Sequence, residues 1–381
     1  MQVRLARAGV PAAALTPIIA PHMVTLRLRP EPGHAHVTEG VAAEVRAAVN
    51  APHVRVYSHG AELRVEVPRT HRRPVPLSAM PRQGLRFGVG LDGENRVAYV
   101  DLDAAPHVLV AGASGSGKSE LLRVLGYHTA AAGAELILVD PDGETWAPLE
   151  QAAALPVAVA RDVDAGVRSI HHTQTLMNAR PVDTPGQRPL ALMVDEVHML
   201  GAGILDVLVD IAKRGRKRRV FVVVATHRPT RDALPRVLTD QLAWAIAGRV
   251  KDAAGSKVIV DQTGAQHLGG RGDMLLAHGG RGVRIQAALA GPSDWRRLPR
   301  ADDPPLPAPE IEAGASETAS DPRHQRKPVD AAVAWLVDRW NATGEQPSAK
   351  AAKARFGGST TRAMRARDAA LAALGQAAPQ Y

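Results

Sequence analysis

A glycine-rich segment between an apolar run and a helix-like stretch carries the strongest chemical signal in this sequence. Residues 112–119 read GASGSGKS and fit the pattern G-x-x-x-x-G-K-[ST], whose backbone N–H groups cradle phosphate oxygens. In that pattern Lys118 is expected to reach the β- and γ-phosphates of ATP, and Ser119 to bind Mg²⁺. The predicted nucleotide contacts are Gly112, Ser114, Gly115, Ser116, Gly117, Lys118, Ser119 and Glu120.

Two further apolar runs end in polar side chains that suit phosphoryl-transfer chemistry. Residues 190–194 are followed by Asp195-Glu196, where Asp195 is predicted to hold Mg²⁺ and Glu196 to polarise the attacking water. Residues 220–225 are followed by Thr226, which is placed to sense the γ-phosphate. An ordinary strand-to-loop transition is the alternative for Thr226. Together with Lys118, these three residues are the catalytic set that the motifs predict, to which the family resemblance below adds Arg216.

Alternating apolar runs and helical stretches predict the elements that position these side chains. The runs are residues 108–111, 136–139, 190–194 and 220–225. Uniformly apolar strands are typical of sheets buried on both faces, so the pattern indicates an α/β fold with a parallel sheet covered by helices. Four regions are expected: a small α+β domain at 1–80, a P-loop ATPase motor at 81–290, a flexible Pro-rich linker at 291–327 and a helix-turn-helix-like module at 328–381.

Net charge, cysteine content and the longest apolar stretch near the start indicate which partners and which cellular compartment to expect. The chain has 381 residues and a formal charge of +9, which favours a polyanionic partner such as nucleic acid, although a biased composition would give the same excess. It has no cysteine, which excludes disulfides, thiolate metal sites and cysteine nucleophiles. The longest apolar stretch near the start, residues 8–20, contains two prolines and is too short to span a bilayer. A cytoplasmic protein without a membrane span is expected.

Histidines do not form a metal-binding pattern in the sequence. His171-His172 and the pair of Glu196 with His198 have no third or fourth ligand at a helpful spacing. Magnesium is therefore the only metal expected from the sequence.

The motifs, taken in order, resemble those of the FtsK/SpoIIIE DNA translocases. They are PHVLVAG at 106–112, VDP at 139–141, VDE at 194–196, ATHRP at 225–229 and GGRGDML at 269–275. The resemblance extends over about residues 40–290, with departures at His227, where the family usually has Gln, and at Arg219, where it usually has Gly. It implies a RecA-like motor that uses ATP and Mg²⁺, assembles as a hexameric ring around double-stranded DNA, and carries the small N-terminal domain on the motor.

The resemblance also implies roles for residues outside the phosphate loop. Gly272 and Asp273, in the last motif, are expected to contribute to nucleotide binding. Arg216 matches a family arginine and is the candidate for reaching the phosphate of a neighbouring subunit. Residues 213–219 are basic at six of seven positions, so a solvated helix end or a DNA-facing patch is the alternative for Arg216.

The C-terminal region has the pattern of a small basic helical module. Residues 348–356 and 360–374 are predicted helices joined by Gly357-Gly358, an arrangement typical of a helix-turn-helix. Arg362, Arg365 and Arg367 on the second helix are predicted to contact DNA in the major groove. The family often has a winged helix in this place, but no pair of strands for a wing follows residue 374. A small Ala-rich bundle with solvated arginines is the alternative.

These observations lead to one functional hypothesis and two rivals. The first is an ATP-driven translocase on double-stranded DNA, of a plasmid, phage or conjugative element because the family's membrane-spanning region is not found. The second is a DNA-binding initiator or partition protein that uses ATP as an assembly switch. The third is a secretion ATPase, although those usually have several linked motor domains and only one P-loop occurs here.

Overall fold

The structure, a computed structural model, describes residues 12–14, 17–30, 43, 46–47, 53–69, 71–280 and 282–298. All of them lie in the first of the two units into which the chain divides, Met1–Ile311. The second unit, Glu312–Tyr381, lies outside the described residues. The predicted C-terminal module with Arg362, Arg365 and Arg367 therefore stays a prediction.

A small antiparallel sheet forms the N-terminal part of the described chain. Its strands are β1 (Ala12–Ala14), β2 (Ile18–Ile19), β3 (Met23–Pro30), β4 (Arg55–His59) and β5 (Glu62–Pro68). Their order is β1-β3-β5-β4, and β2 also pairs with β3. Leu63 and Val65 on β5 are buried while Arg64 between them is not, which is the alternation expected of a sheet with one covered face.

A large mixed sheet organises the rest of the described chain. Its strands are β6 (Val75–Pro76), β7 (Arg82–Gln83), β8 (Arg86–Asp92), β9 (Val97–Asp101), β10 (His107–Ala111), β11 (Glu135–Val139), β12 (Val159–Ala160), β13 (Leu190–Val194), β14 (Val220–Thr226), β15 (Trp244–Ala247), β16 (Asp273–Ala277) and β17 (Val283–Leu289). The order is β12-β11-β13-β14-β10-β15-β16-β17-β8-β7, with β6 on β17 and β9 on β8. The strands from β12 to β15 are parallel, and β16, β17 and β8 continue the sheet antiparallel.

Helices cover both faces of the parallel strands, as the alternating pattern predicted. They are α1 (Lys118–Ala131), α2 (Ala147–Gln151), α3 (Val163–Ala179), α4 (Ala202–Gly215), α5 (Arg236–Thr239), α6 (Ala253–Val260) and α7 (Pro292–Trp295). Short 3₁₀ turns occur at Leu77–Ala79, Val197–Met199, Arg216–Arg218 and Ala265–His267. One apolar core contains Leu121 and Leu122 of α1, and a second contains Ile170 of α3 and Leu208 of α4. In the described ranges no helix has the length and apolar character that a membrane crossing requires.

The start of the predicted linker is packed against the domain of the large sheet. Gly291 precedes α7, whose Trp295 is 1% exposed. The Trp295 ring packs edge-to-face on Trp146, with ring centroids 5.8 Å apart, and on Tyr127 at 6.1 Å. Pro292 stands at the first position of the helix, where a missing N–H costs nothing. The described part of the predicted linker, residues 291–298, is therefore packed through Trp295 and Leu298, whereas the linker prediction for residues 299–327 lies outside the described residues.

Candidate active site

Strand order brings the three predicted polar strand ends to one edge of the sheet. Strand β14 lies between β10 and β13, and all three strands are parallel, so their carboxyl ends point the same way. The P-loop follows β10, Asp195-Glu196 follows β13, and Thr226 ends β14. Crevices at the carboxyl ends of parallel strands are the usual ligand sites in open α/β sheets.

The P-loop conformation depends on its glycines. Gly115 has φ 73° and Gly117 has φ 99°, both in the left-handed region that side chains disfavour. A Cβ atom on Gly117 would lie 2.5 Å from the backbone nitrogen of Gly272. The loop therefore turns into α1 with its backbone pressed against a second loop, and only glycine fits at that contact.

Lys118 lies in a buried ion cluster with the two carboxylates. Its Nζ contacts Asp195 Oδ1 and lies 2.8 Å from Glu196 Oε1, and the side chain is 10% exposed. Burial opposes the charged form of Lys118, but the adjacent carboxylates of Asp195 and Glu196 outweigh it and raise the pKa of Lys118 above its ordinary value. Burial would likewise raise the pKa of Glu196, but the Lys118 ammonium outweighs it and lowers that pKa. Lys118 and Glu196 are therefore both charged at neutral pH.

A threonine that the motif reading overlooked joins the two predicted magnesium ligands. Thr145 Oγ1 lies 2.9 Å from Ser119 Oγ and 2.5 Å from Asp195 Oδ2. Its loop is held by the buried carboxylate of Asp140, which accepts hydrogen bonds from the N–H groups of Gly143 at 3.1 Å and Thr145 at 2.9 Å. Burial raises the pKa of Asp140 above its ordinary value. The sequence signal that would have indicated Thr145 is Asp140, an acid directly after β11 that is followed by other polar residues.

Two histidines hold the second oxygen of Glu196. Glu196 Oε2 accepts a hydrogen bond from the His227 backbone N–H at 3.0 Å, and it lies 3.0 Å from His227 Nδ1 and 3.3 Å from His198 Nδ1. His198 Nδ1 is also 3.1 Å from Thr226 Oγ1. Burial lowers the pKa of His198, which favours its neutral form. Neither histidine was among the predicted site residues, although His227 was noted as a departure from the family pattern.

The loop of the last motif touches the P-loop through its backbone. Arg271 N–H donates to Gly115 O at 2.9 Å, and Gly272 N–H donates to Ser116 O at 2.8 Å. The buried carboxylate of Asp273, for which the resemblance implies a nucleotide contact, receives two 2.7 Å hydrogen bonds from the Arg284 guanidinium. Asp273 thus holds this loop through Arg284, while the backbone of Arg271 and Gly272 contacts the P-loop.

The other predicted residues occupy varied places around the loop. Ser114 is exposed, whereas Ser116 Oγ is buried without a hydrogen-bond partner among the described residues. Glu120, on the first turn of α1, pairs with Arg123. Arg216 is exposed in the turn that precedes β14. Strand β14 has seven residues and ends at Thr226 beside the P-loop, so Arg216 lies at the opposite end of this strand. At ~3.3 Å per residue that strand spans roughly 20 Å, so the structure does not bring Arg216 to this chain's own P-loop.

The residues present fit a magnesium nucleotide. A backbone loop with left-handed glycines precedes a helix start, and a buried ammonium stands beside it, which together suit a phosphate group. The oxygens of Ser119, Thr145 and Asp195 offer the hard donors that Mg²⁺ prefers.

Comparison with known proteins is consistent with this geometry. Residues 78–183 match the model of the FtsK/SpoIIIE family. DNA translocase SftA of Bacillus subtilis is 26% identical over 321 residues, which cover 73% of this chain and 34% of SftA. DNA translocase FtsK of Caldanaerobacter subterraneus is 26% identical over 326 residues, which cover 74% of this chain and 45% of that protein. The chain therefore spans less than half the length of these relatives.

A solved structure supports the fold. The pCW3 conjugation coupling protein TcpA, in its monomer form with ATPγS, aligns with a TM-score of 0.53 at 16% identity, covering 76% of this chain and 93% of that one. At this identity the likeness concerns the fold alone. The family match and the two relatives confirm the predicted resemblance to the FtsK/SpoIIIE family, and the solved structure supports the predicted α/β fold.

Proposed function

We propose that this chain is a RecA-like motor that hydrolyses ATP with Mg²⁺ to move double-stranded DNA. The observation that carries the proposal is the buried cluster of Lys118, Asp195 and Glu196 at the mouth of the P-loop. Such a cluster has the charge and position that phosphoryl transfer to water requires. The DNA substrate is proposed from the names of the 26% identical relatives and from the net charge of +9.

Each residue of the cluster has a distinct task in this proposal. Bound ATP with Mg²⁺ supplies the phosphoanhydride that water cleaves. Lys118 neutralises charge on the β- and γ-phosphates, in place of the two carboxylates that it contacts here. Ser119 and Asp195 hold Mg²⁺, and Thr145 fixes their spacing. Glu196 accepts the proton of the attacking water, because its lowered pKa keeps it ionised.

The loop of the last motif is the proposed route from nucleotide to DNA. Its backbone is bonded to the P-loop at Gly115 and Ser116, so a shift of the P-loop displaces it directly. The same loop is tied through Asp273 to Arg284, whose guanidinium also donates to His53 O at 2.9 Å and to Glu66 O at 3.3 Å. The nucleotide site is thus linked to the small sheet by consecutive hydrogen bonds.

The finer features of the proposal concern assembly and context. We propose a ring of subunits, most simply a hexamer, in which Arg216 of one subunit serves the phosphate of the next. Its exposure and its distance from this chain's own site support an action between subunits. Arg362, Arg365 and Arg367 are proposed to load or orient the motor on DNA, on a plasmid, phage or conjugative element.

One rival remains a distinct candidate. Residues 326–381 contain nine Lys or Arg and four acids, so positive charge is concentrated in the predicted DNA-binding module. If that module dominated function, the chain would be an initiator or partition protein for which ATP is an assembly switch. Slow hydrolysis with tight, site-specific DNA binding would favour that function.

The test is ATP hydrolysis by the full chain and by Lys118→Ala, with and without long duplex DNA. We expect DNA to stimulate ATP hydrolysis by the wild type. The hydrolysis rate of Lys118→Ala should be lower by roughly 100-fold or more, because an electrostatic partner of the transferred group is removed. Lys251→Ala, at an exposed lysine, is the matched control and should keep the wild-type rate. Slow hydrolysis that ignores DNA would contradict a translocating motor.

A further inference from the structure

Three potential metal ligands converge beside the P-loop. Glu196, His198 and His227 each offer one ligand atom, and these atoms all lie within 4.8 Å of one another. The sequence pattern paired Glu196 with His198 but had no third group. Parallel strands β13 and β14, which are neighbours in the sheet, bring His227 to the same place.

The distances suit a tetrahedral metal ion. With metal–ligand distances of about 2.0–2.1 Å, neighbouring ligand atoms of a tetrahedral zinc site lie roughly 3.4 Å apart. Glu196 Oε2 lies 3.0 Å from His227 Nδ1 and 3.3 Å from His198 Nδ1. The remaining distance, between the ligand nitrogens of the two imidazoles, is at most 4.8 Å. Three protein ligands leave one coordination position open.

Access and charge suit binding from solvent. Glu196 and His198 are 6% and 12% exposed, whereas His227 is 36% exposed and opens the cluster to solvent. Lys118 contacts Oε1 of Glu196, so a metal would bind Oε2, which also accepts the His227 backbone N–H. Imidazole nitrogens select Zn²⁺ and similar ions, whereas Mg²⁺ prefers oxygen donors such as those at Ser119 and Asp195.

We propose that Glu196, His198 and His227 form a Zn²⁺-binding site, distinct from the magnesium position, and that its occupation stops ATP hydrolysis. The inhibitory part rests on the proposed function. A zinc ion on Oε2 replaces the contacts from His227 and His198 and holds the carboxylate that would otherwise accept the proton of water. Zinc would thus be a reversible inhibitor of ATP hydrolysis.

The binding test uses the metal-stripped full chain with excess Mg²⁺, titrated with Zn²⁺ against a chromophoric chelator. We expect the wild type to bind one Zn²⁺ at least tenfold more tightly than His198→Gln or His227→Gln. The control is His171→Gln, at an exposed histidine of α3 outside the cluster, which should bind like the wild type. Equal binding by all four proteins would overturn the site.

A cysteine variant gives a direct signature. Because the chain has no cysteine, His227→Cys introduces the only thiolate. Bound Co²⁺ should then show a cobalt–thiolate charge-transfer band that the wild type does not show. His171→Cys, with the same thiol at an exposed position, should give no such band. A folded His227→Cys protein without the band would contradict placement of position 227 on the metal.

Hydrolysis separates the site from the proposed function. In excess Mg²⁺, Zn²⁺ should inhibit the wild type over the same concentrations at which the site fills. The double variant His198→Gln/His227→Gln, compared with its own zinc-free rate, should need at least tenfold more Zn²⁺. Equal sensitivity of the two proteins to Zn²⁺ would place the inhibition at another site and contradict the inhibitory role. A wild type without ATPase activity would refute the proposed function, while the two binding tests still decide the site.

Discussion

At the residue scale, Thr145 is the side chain on which the spacing of the magnesium ligands depends. Among the described residues, the Thr145 hydroxyl alone hydrogen-bonds to both Ser119 Oγ and Asp195 Oδ2. A hydrogen bond to a charged group contributes ~1.5–3 kcal/mol. We therefore expect Thr145→Val to lower kcat/KM for ATP by roughly 10- to 100-fold, and Thr145→Ser to retain most of it.

The measurement is steady-state hydrolysis over a range of Mg²⁺ concentrations. The loss in Thr145→Val should be partly relieved at high Mg²⁺, because the variant weakens the metal position rather than the water-activating carboxylate. Thr175→Val removes an exposed threonine hydroxyl on α3 and serves as the control. An unchanged rate in Thr145→Val would mean that Ser119 and Asp195 hold the metal without help.

How much of the site was predictable depends on where each partner lies in the chain. Lys118, Asp195 and Glu196 follow apolar strands, so motif and strand pattern were sufficient to expect their meeting at one edge. Thr145 was not predictable in this way, because its position depends on side-chain hydrogen bonds of Asp140 within a loop. The pairing of Asp273 with Arg284 was not predictable either, because Arg284 comes from the next strand and meets Asp273 only in the folded sheet.

At the scale of elements, His107 connects the strand that leads into the P-loop with its neighbours. Its Nε2 lies 2.8 Å from Ala212 O on α4, and its Nδ1 accepts a hydrogen bond from Val222 N–H on β14 at 3.1 Å. Only the neutral ring with its proton on Nε2 satisfies both contacts. Burial is the main cause that lowers the pKa of His107 from 6.5 to about 4.

This pKa predicts a pH dependence of stability. As the pH falls below 6.5 the unfolded chain takes up a proton at His107 that the folded chain does not take up until about pH 4. The free energy of unfolding should therefore fall across that window, by up to ~3 kcal/mol from this residue. Urea unfolding at several pH values should show a shallower fall in His107→Gln, with His171→Gln like the wild type. An identical slope in His107→Gln would contradict the prediction.

The elements themselves were predictable where apolar patterning was strong. Strands β10, β11, β13 and β14 coincide closely with the four apolar runs, because strands buried on both faces must be apolar throughout. The two-residue strands β6, β7 and β12 have no such pattern, since their pairing comes from the sheet edge beside them. Helix α7 was missed because its packing depends on Trp146, far away in the sequence.

At the scale of the whole molecule, the motor and the basic C-terminal module are expected to divide the work. Deleting residues 326–381 should spare DNA-stimulated hydrolysis, because the P-loop, the carboxylates and the last-motif loop all precede them. The triple variant Arg362→Ala/Arg365→Ala/Arg367→Ala should weaken binding to a preferred DNA site roughly 10-fold or more. Hydrolysis and DNA binding measured on the same preparations test both parts. Loss of all DNA-stimulated hydrolysis in a folded, assembled deletion variant would contradict this division.

Assembly is tested most directly through Arg216, because the sheet holds it about one strand length from its own P-loop. If Arg216 serves a neighbouring subunit, Arg216→Ala and Lys118→Ala should each be nearly inactive alone, for different reasons. An interface is complete again where an Arg216→Ala subunit supplies the P-loop and a Lys118→Ala subunit supplies the arginine.

Co-expression of the two variants should therefore restore hydrolysis. In a random one-to-one ring of head-to-tail interfaces, about a quarter of the interfaces combine an intact P-loop with an intact arginine. We expect hydrolysis up to about that fraction of the wild-type rate, measured on the mixed assembly. Lys217→Ala, at the adjacent exposed position, should remain active alone. Two results would contradict this role: mixed assemblies that are as inactive as their components, or an Arg216→Ala variant that is active alone. Neither result requires an arginine from a second subunit at the site. Arg216 would then belong to the solvated or DNA-facing surface.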